Sequence, residues 1–295
     1  MPPDGTAPAP ADFEAQRRRL MGLAYRMLGS VAEAEDVVQD AWIRWSAADP
    51  AVIERPAAWL TTVTARLALD RLKSARRRRE TYVGPWLPEP VLTSPGPEAA
   101  AEAADTLTLG FLAMLEVLDP VSRVVFLLTD AFGYPASDVS VAVGKSPAAC
   151  RQIASRARSR IRQAKPSRPS PADRALADRL LQAVASGDTG AAMALLSEDV
   201  VLITDGGPER HAARRPVVGP SRVTRFLTNI AKRLSPDVVV EPVLLNAAAG
   251  LLLRDPTGSQ SGAMAFDLTN GVISAIWVVT NPDKLACLDS PAVLS

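Results

Sequence analysis

From residue 13 to about residue 79, apolar positions recur at helical spacing. In VAEAEDVVQDAWIRW, Ala34, Val37, Val38, Ala41 and Trp45 fall on one face. Asp36, Gln39, Asp40 and Ile43 lie towards the other sides. Ser30 reads as the N-cap of this helix, and Glu33 three residues later completes a capping box. The loop SAADPAVIERP follows, and its two prolines forbid a continuous helix. The helical pattern resumes at Ala57 and runs into a basic stretch at 73–79.

Residues 84–106 hold five prolines and read as a linker, yet Trp86 and Leu87 are large and apolar. Such bulk in a tether is expected to dock. Helical pattern returns at Leu107. Asp119-Pro120 starts the helix VSRVVFLLTDAF, which Gly133 stops. Pro135 opens a short helix ending near Val143. Gly144 suits a left-handed helix end, and Ser146-Pro147 reads as N-cap and first position of the next helix. A second linker, KPSRPSPAD, follows. Beyond it come a helix marked by Leu176, Leu180 and Val184, a helix capped at Gly187-Asp188, and a helix near 220–234. Strand-like runs lie at 200–204, 238–245, 249–254, 262–268 and 272–280, and Asn270-Gly271 between the last two predicts a hairpin. Helices followed by an antiparallel sheet predict an α+β domain.

Composition adds little until charge is read locally. The 295 residues carry a formal net charge of +1 and are 47% hydrophobic, enough for two or three domains. Residues 55–80 hold eight Arg/Lys against two acids, and 145–168 hold eight against none. Residues 32–40 carry Glu33, Glu35, Asp36 and Asp40 unopposed. Two basic stretches imply an anionic partner, and the acidic one a separate protein contact. Two cysteines give neither a disulfide framework nor a zinc site. The Pro/Ala-rich residues 1–11 resemble no signal peptide and are expected to be disordered. No apolar run reaches membrane-spanning length, so a cytoplasmic location is expected.

In the helix over 147–162, Cys150, Ile153, Ala157 and Ile161 form a buried stripe. Its other faces carry Arg151, Gln152, Ser155, Arg156 and Ser159, with no acid to pair them. The short helix before it and the turn at Gly144 complete a helix-turn-helix, whose second helix enters a DNA major groove. Arg151 and Gln152, near the N-terminus, are placed to read guanine and adenine. Arg156, Arg158, Arg160 and Arg162 suit phosphates. In AAWLTTVTARLALDRLKSARRRR, Trp59, Thr61, Thr62 and Arg66 could meet unpaired bases, although Trp59 suits a core anchor better.

Taken together, these motifs over residues 13–165 resemble a bacterial RNA polymerase sigma factor of the extracytoplasmic-function group. SVAEAEDVVQDAWIRW is similar to the family segment that binds the clamp of the polymerase β′ subunit, which implies Asp36, Gln39, Asp40 and Trp42 as polymerase contacts. The following basic helix is similar to the segment that melts and reads the −10 element. That implies contacts from Arg55, Trp59, Thr61, Thr62, Arg66, Lys73, Arg76 and Arg77, with the loop before the helix capturing a flipped base. Residues 119–162 are similar to the −35-reading region, implying Ser146, Arg151, Gln152, Ser155, Arg156, Arg158 and Arg162.

The rear half resembles the sigma factors that carry a fused SnoaL-like domain, a cone of helices on a curved sheet. The resemblance lies in Trp86, Leu87 and Pro88 of WLPEP, in Asp205, Gly206 and Gly207, and in Asn281, Pro282, Asp283 and Lys284 of NPDKL. Here the glycine motif reads DGGPE, and NAAAG at 246–250 stands where the group has Asn-Gly-x-Pro. The implied architecture is multidomain. An all-α sigma-2 domain (12–83) precedes a proline-rich linker (84–106) and a sigma-4 helix-turn-helix domain (107–165). A short linker (166–172) leads to an α+β SnoaL-like regulatory domain (173–295).

The expected partners are the polymerase core, through its β′ clamp and β subunits, and promoter DNA, duplex at −35 and melted at −10. No cofactor, metal or membrane is expected; a small-molecule ligand of the rear domain is conceivable. Two other readings stay open: a stand-alone helix-turn-helix regulator with a ligand-sensing domain, and a bifunctional protein with a catalytic cone. His211, the sole histidine, lies in a loop pattern, Asp205 reads as a turn residue beside Gly206-Gly207, and Asp267 reads as facing outward with Ala263 and Ala265. The rear half holds eleven basic and thirteen acidic residues from 173 onward, which does not suit DNA. No nucleophile–base pair or phosphate loop supports catalysis.

Overall fold

The computed structural model describes residues 8–93, 106–162 and 171–289. They fall into two compact units, one of Met1–Glu80 with Met114–Lys165, the other of Thr81–Ala113 with Pro166–Val293.

The first unit is all helix. Helix α1 (Pro10–Leu28) starts inside the stretch expected to be disordered, because Pro10 occupies the first turn, where its missing N–H costs nothing. Residues 1–7 of that stretch lie outside the described residues. Helix α2 (Val31–Ser46) begins as the sequence predicts, with the Ser30 hydroxyl accepting from the Glu33 N–H at 3.3 Å. Ala34, Val37, Val38, Ala41 and Trp45 are buried on its inner face. A 3₁₀ turn (Pro50–Val52) leads to α3 (Pro56–Glu80). Fully buried Trp45, Tyr25 and Phe13 anchor the three-helix core. Burial of each such side chain contributes about 1.5–3 kcal/mol.

Helix α4 (Leu109–Leu115) crosses the division between the units. It is followed by α5 (Pro120–Phe126), a π-helical turn (Leu127–Ala131), α6 (Ala136–Val143) and α7 (Pro147–Arg162). Asp119 caps α5, and Gly144 closes α6 in the left-handed conformation, both as predicted. The helix expected to run unbroken to Phe132 instead widens into the π turn, where Thr129 turns its hydroxyl back to the Val125 carbonyl at 2.8 Å. A partly buried ionic cluster joins α3 to the later helices. The Glu116 carboxylate accepts from Arg79 (2.6 and 2.7 Å) and pairs with Arg123 at 2.7 Å. Arg123 also donates to the Met27 carbonyl at 2.9 Å and the Leu115 carbonyl at 3.0 Å. Arg26 is buried as well, and loss of water lowers its pKa to about 10.

The second unit packs α8 (Pro171–Ser186), α9 (Thr189–Ala194) and α10 (Pro220–Ala231) on a six-stranded sheet. The strands are β1 (Leu196–Asp205), β2 (Val217–Val218), β3 (Val239–Leu245), β4 (Ala248–Arg254), β5 (Gln260–Thr269) and β6 (Val272–Val279). Their order is β2-β1-β6-β5-β4-β3. Each of the five predicted runs is a strand, but the sheet is mixed, not antiparallel, because β1 lies parallel to β6. Asn270 (φ 53°) and Gly271 (φ 77°) form the predicted hairpin. Asn246 and Ala247, at φ 52° and 61°, turn β3 into β4 the same way.

Alternation along the strands gives this sheet two apolar faces. Phe266, Leu268, Ile276 and Val278 point to α8–α10, with Leu180, Val200, Leu202, Val223 and Leu227. Ala263, Ala265, Leu252 and Val279 point the other way, where Leu87 and Leu109 pack on them, and a last short helix, α11 (Pro282–Leu285), supplies Leu285. The second face is therefore covered by residues that precede the cone in sequence. Asp267 shares it and is buried, contrary to the outward-facing expectation. Its alternation was read correctly; the cover comes from Gly110 in the first turn of α4.

Candidate nucleic-acid interface and linker site

Helix α7 presents Arg151, Gln152, Ser155, Arg156 and Arg160 to solvent, while Cys150, Ala154, Ala157 and Ile161 are buried. Ile153, expected in the stripe, is only half-buried; Ala154 takes its place. Ser146 caps the helix, its hydroxyl accepting from the Ala149 N–H at 3.2 Å. Arg158 is held in an ion pair with Asp130 at 2.5 Å, and that hydrogen bond raises its pKa. Its charge is thus already matched within the fold. The side chains of Arg162, Arg76 and Arg77 lie outside the described residues.

Arg55, just ahead of α3, and Arg66 and Lys73 on it are exposed, and Thr62 is half-buried. Trp59 is half-buried beside Trp45, ring centroids 5.6 Å apart, which favours the core-anchor role. Thr61 is buried, its hydroxyl 2.7 Å from the Tyr134 hydroxyl. Arg66 donates to the Val141 carbonyl at 2.6 Å, and Arg55 meets Asp138 at 3.4 Å. Arg55, Thr61 and Arg66, all expected to meet DNA, thus touch the helix-turn-helix or the turn before it. Lys73 pairs with Asp70 at 3.0 Å.

The acidic face of α2 is organised by a residue the sequence reading passed over. Arg71 of α3 donates to Asp36 at 2.8 Å and to Asp40 at 3.0 Å, and the first of these bonds raises its pKa most. Gln39 is exposed nearby, and half-buried Trp42 packs edge-on to Phe13 with centroids 4.9 Å apart.

Within the second unit, the three motifs of the rear half converge on one carboxylate. Asp205, at the end of β1, is fully buried. It accepts from the Tyr82 hydroxyl (2.6 Å), the Leu87 N–H (2.8 Å) and the Gly207 N–H (3.1 Å), and pairs with Lys284 at 2.6 Å. Lys284 also donates to the Leu87 carbonyl and lies over the rings of Trp86 (4.1 Å) and Tyr82 (5.1 Å). Asn281 caps α11 through the Asp283 N–H (3.1 Å) and donates to the Tyr82 hydroxyl at 2.8 Å. Burial, then the bond to Asp205, pushes the Tyr82 pKa up. Gly207 takes φ 61°, and a Cβ there would lie 2.7 Å from the Asn281 side chain, so the second glycine of the motif is sterically required.

Further along, the linker adds to the edge of β3. Thr93 donates to the Leu244 carbonyl at 3.0 Å, and Asn246 exchanges bonds with Val91 at 2.8 and 3.0 Å. Leu87 is 1% exposed, so the apolar bulk noticed in the sequence does dock. Asp205 is more than the expected turn residue, and Tyr82 was not anticipated at all. Asn246, the one residue that NAAAG clearly shares with the group's Asn-Gly-x-Pro, is the residue that ties the linker to the sheet edge. His211 is exposed in its loop, as expected. Among the described residues no group of acids, histidines and cysteines could hold a metal ion, and no helix is long and apolar enough to cross a membrane.

Comparison with known proteins agrees with both halves. The family model of sigma-70 region 2 matches residues 13–78, and that of sigma-70 region 4 matches residues 109–161. The ECF RNA polymerase sigma factor SigJ of Mycobacterium tuberculosis is 41% identical, over 93% of this chain and 92% of its own length. The chain belongs to the extracytoplasmic-function sigma factors of RNA polymerase. A probable sigma factor of this group from the same organism, SigI, is 32% identical over 94% of this chain and 95% of its own. The crystal structure of SigJ superposes with a TM-score of 0.77 at 37% identity, covering 94% of this chain and 98% of that one. This sigma factor therefore serves promoter-directed transcription initiation, binding RNA polymerase core and promoter DNA. Its helical region 2 and region 4 segments are followed by a domain of helices on a mixed six-stranded sheet.

Proposed function

We propose that this sigma factor divides promoter reading between two helices and places the linker that joins them under the control of its cone. Arg151 and Gln152 of α7 read base edges in the −35 duplex, while Arg156 and Arg160, exposed and without acidic neighbours on their helix, hold phosphates. Arg55 ahead of α3, with Thr62 and Arg66 on the helix, receives the melted −10 strand, and Thr61 joins them once Tyr134 withdraws. Asp36, Gln39, Asp40 and Trp42 meet the β′ clamp, in the cytoplasm where the polymerase works.

The observation that carries the regulatory part is the Asp205 cluster. One buried carboxylate gathers Tyr82 and Leu87 from the linker and Lys284 from the end of the chain. The ion pair thereby ties the proline-rich tether to the cone. The cone is a regulator, not an enzyme: its buried carboxylates, Asp205 and Asp267, are engaged by the chain itself. Run-off transcription with core polymerase tests the reading. Lys284→Met, which frees Leu87, should change transcript yield at unchanged core affinity; equal yields would refute cone control. A gel shift without polymerase separates the alternative of a stand-alone regulator, which would bind duplex DNA unaided.

A further inference from the structure

The division between the compact units falls inside the segment that matches region 4. Residues 109–113 of that match cluster with the cone, and the contact that holds them is unusually close. Leu109 is buried against Ala263, Ala265 and Leu252 of the second sheet face. One residue on, a Cβ built at Gly110 would lie 2.0 Å from Oδ2 of Asp267 and 2.9 Å from its Cγ. Rotating the carboxylate cannot relieve the second of these distances. Oδ2 is moreover held by the indole N–H of Trp277 at 2.9 Å, so the side chain has little freedom to swing away. A register irregularity in the β5–β6 pairing, between Asp267 and Leu268, sets the carboxylate at this spot.

We infer that the Asp267–Trp277 pair is a glycine-gauged socket for the first turn of α4, by which the cone holds the start of region 4. This rests on the reading that the cone governs initiation, and it adds a second point of hold beyond the Asp205 cluster. The socket's specificity is steric: only a residue without a side chain admits the helix so close to the buried carboxylate. Helical glycine is otherwise unfavourable, so its presence in the first turn of α4 is explained by the socket and not by the helix.

A double-substitution cycle on the full-length chain tests this. Hydrogen exchange of residues 106–113 is measured for Gly110→Ala, Asp267→Ala and the pair. Helix propensity alone would make Gly110→Ala slow exchange about fivefold. The socket predicts the opposite, exchange at least about tenfold faster for Gly110→Ala, with recovery in the double variant, where the carboxylate is gone. Slower or unchanged exchange in Gly110→Ala, or no recovery in the double variant, overturns the socket. Run-off transcription then separates the two ideas. If Gly110→Ala loosens the segment and alters yield, the socket acts in regulation. If Lys284→Met alters yield but Gly110→Ala does not, the socket's role in initiation is refuted while cone control stands. If neither alters yield, cone control itself falls.

Discussion

The hydroxyl of Tyr134, in the turn before α6, lies 2.7 Å from the hydroxyl of Thr61 on α3. With the Arg66 bond to the Val141 carbonyl and the Arg55–Asp138 pair, it lays the helix-turn-helix over part of the surface assigned to the −10 strand. Tyr134 is not among the residues assigned to DNA, so the contact can be weakened without touching the reading surface. Tyr134→Phe removes one hydrogen bond, about 0.5–1.5 kcal/mol. The expected outcome is open-complex formation faster by about threefold or more in a fluorescence assay with core polymerase; an unchanged rate would show that Thr61 is not screened.

Arg151→Ala should weaken use of a cognate promoter by about 1–3 kcal/mol and relax the preference at one base pair of the −35 element. Competition transcription on templates randomised at that element reads both effects. A loss equal on all templates would mark Arg151 as a phosphate contact. Arg158→Ala should cost less at the promoter, because its guanidinium is held by Asp130.

The Lys284–Asp205 pair is almost fully buried, with side chains 8% and 0% exposed. Removing one partner of such a pair costs about 3–5 kcal/mol, because the other charge is left buried and unmatched. Lys284→Met should therefore lower the thermal midpoint clearly and open residues 84–93 to protease. Lys284→Met with Asp205→Asn should recover much of the loss, since both charges are then gone. A double variant no more stable than the single one would contradict the assignment.

Alkaline pH should release the linker. Tyr82 donates to Asp205, and Cys287 donates to the Pro90 carbonyl at 3.1 Å. Folding raises both pKa values, that of Cys287 to about 12, in each case chiefly through burial. Groups favoured in their protonated form contribute stability below their unfolded pKa and lose it as pH rises. The loss should begin near pH 9, where free thiols ionise, and deepen above about pH 10, where tyrosine does. Protease cleavage of the linker, followed from pH 7 to 11, checks this; Cys287→Ala should remove the earlier part of the rise.

The helices were legible because their signals are local. Ser30 with Glu33, Asp119-Pro120, Gly144 and Ser146-Pro147 each mark a boundary within a few residues, and all appear as read. The strands were legible as apolar runs, but their pairing was not. Strands β1 and β6 meet in parallel across some seventy residues of intervening chain, and nothing in either run announces that partner. Two-residue β2 is too short for a pattern. The linker site was half legible. Trp86 and Leu87 stood out as misplaced apolar bulk, whereas Asp205, Asp267 and Lys284 are ordinary charged residues until folding buries them. The ion pairs of Arg71 and Arg158 follow from packing of distant helices, which spacing along one helix cannot reveal.

The backbone pairing of Val91 and Thr93 with the end of β3 also has a colloidal side. Strand β3 borders the sheet, and Val239 and Val240 on it are already 54% and 41% exposed. Pro242 within the strand and the linker at its end limit how much of that border can template a neighbouring molecule. A sigma factor whose tether has swung away bares the remainder, so the released form should be the one that self-associates when no polymerase is at hand to take it up.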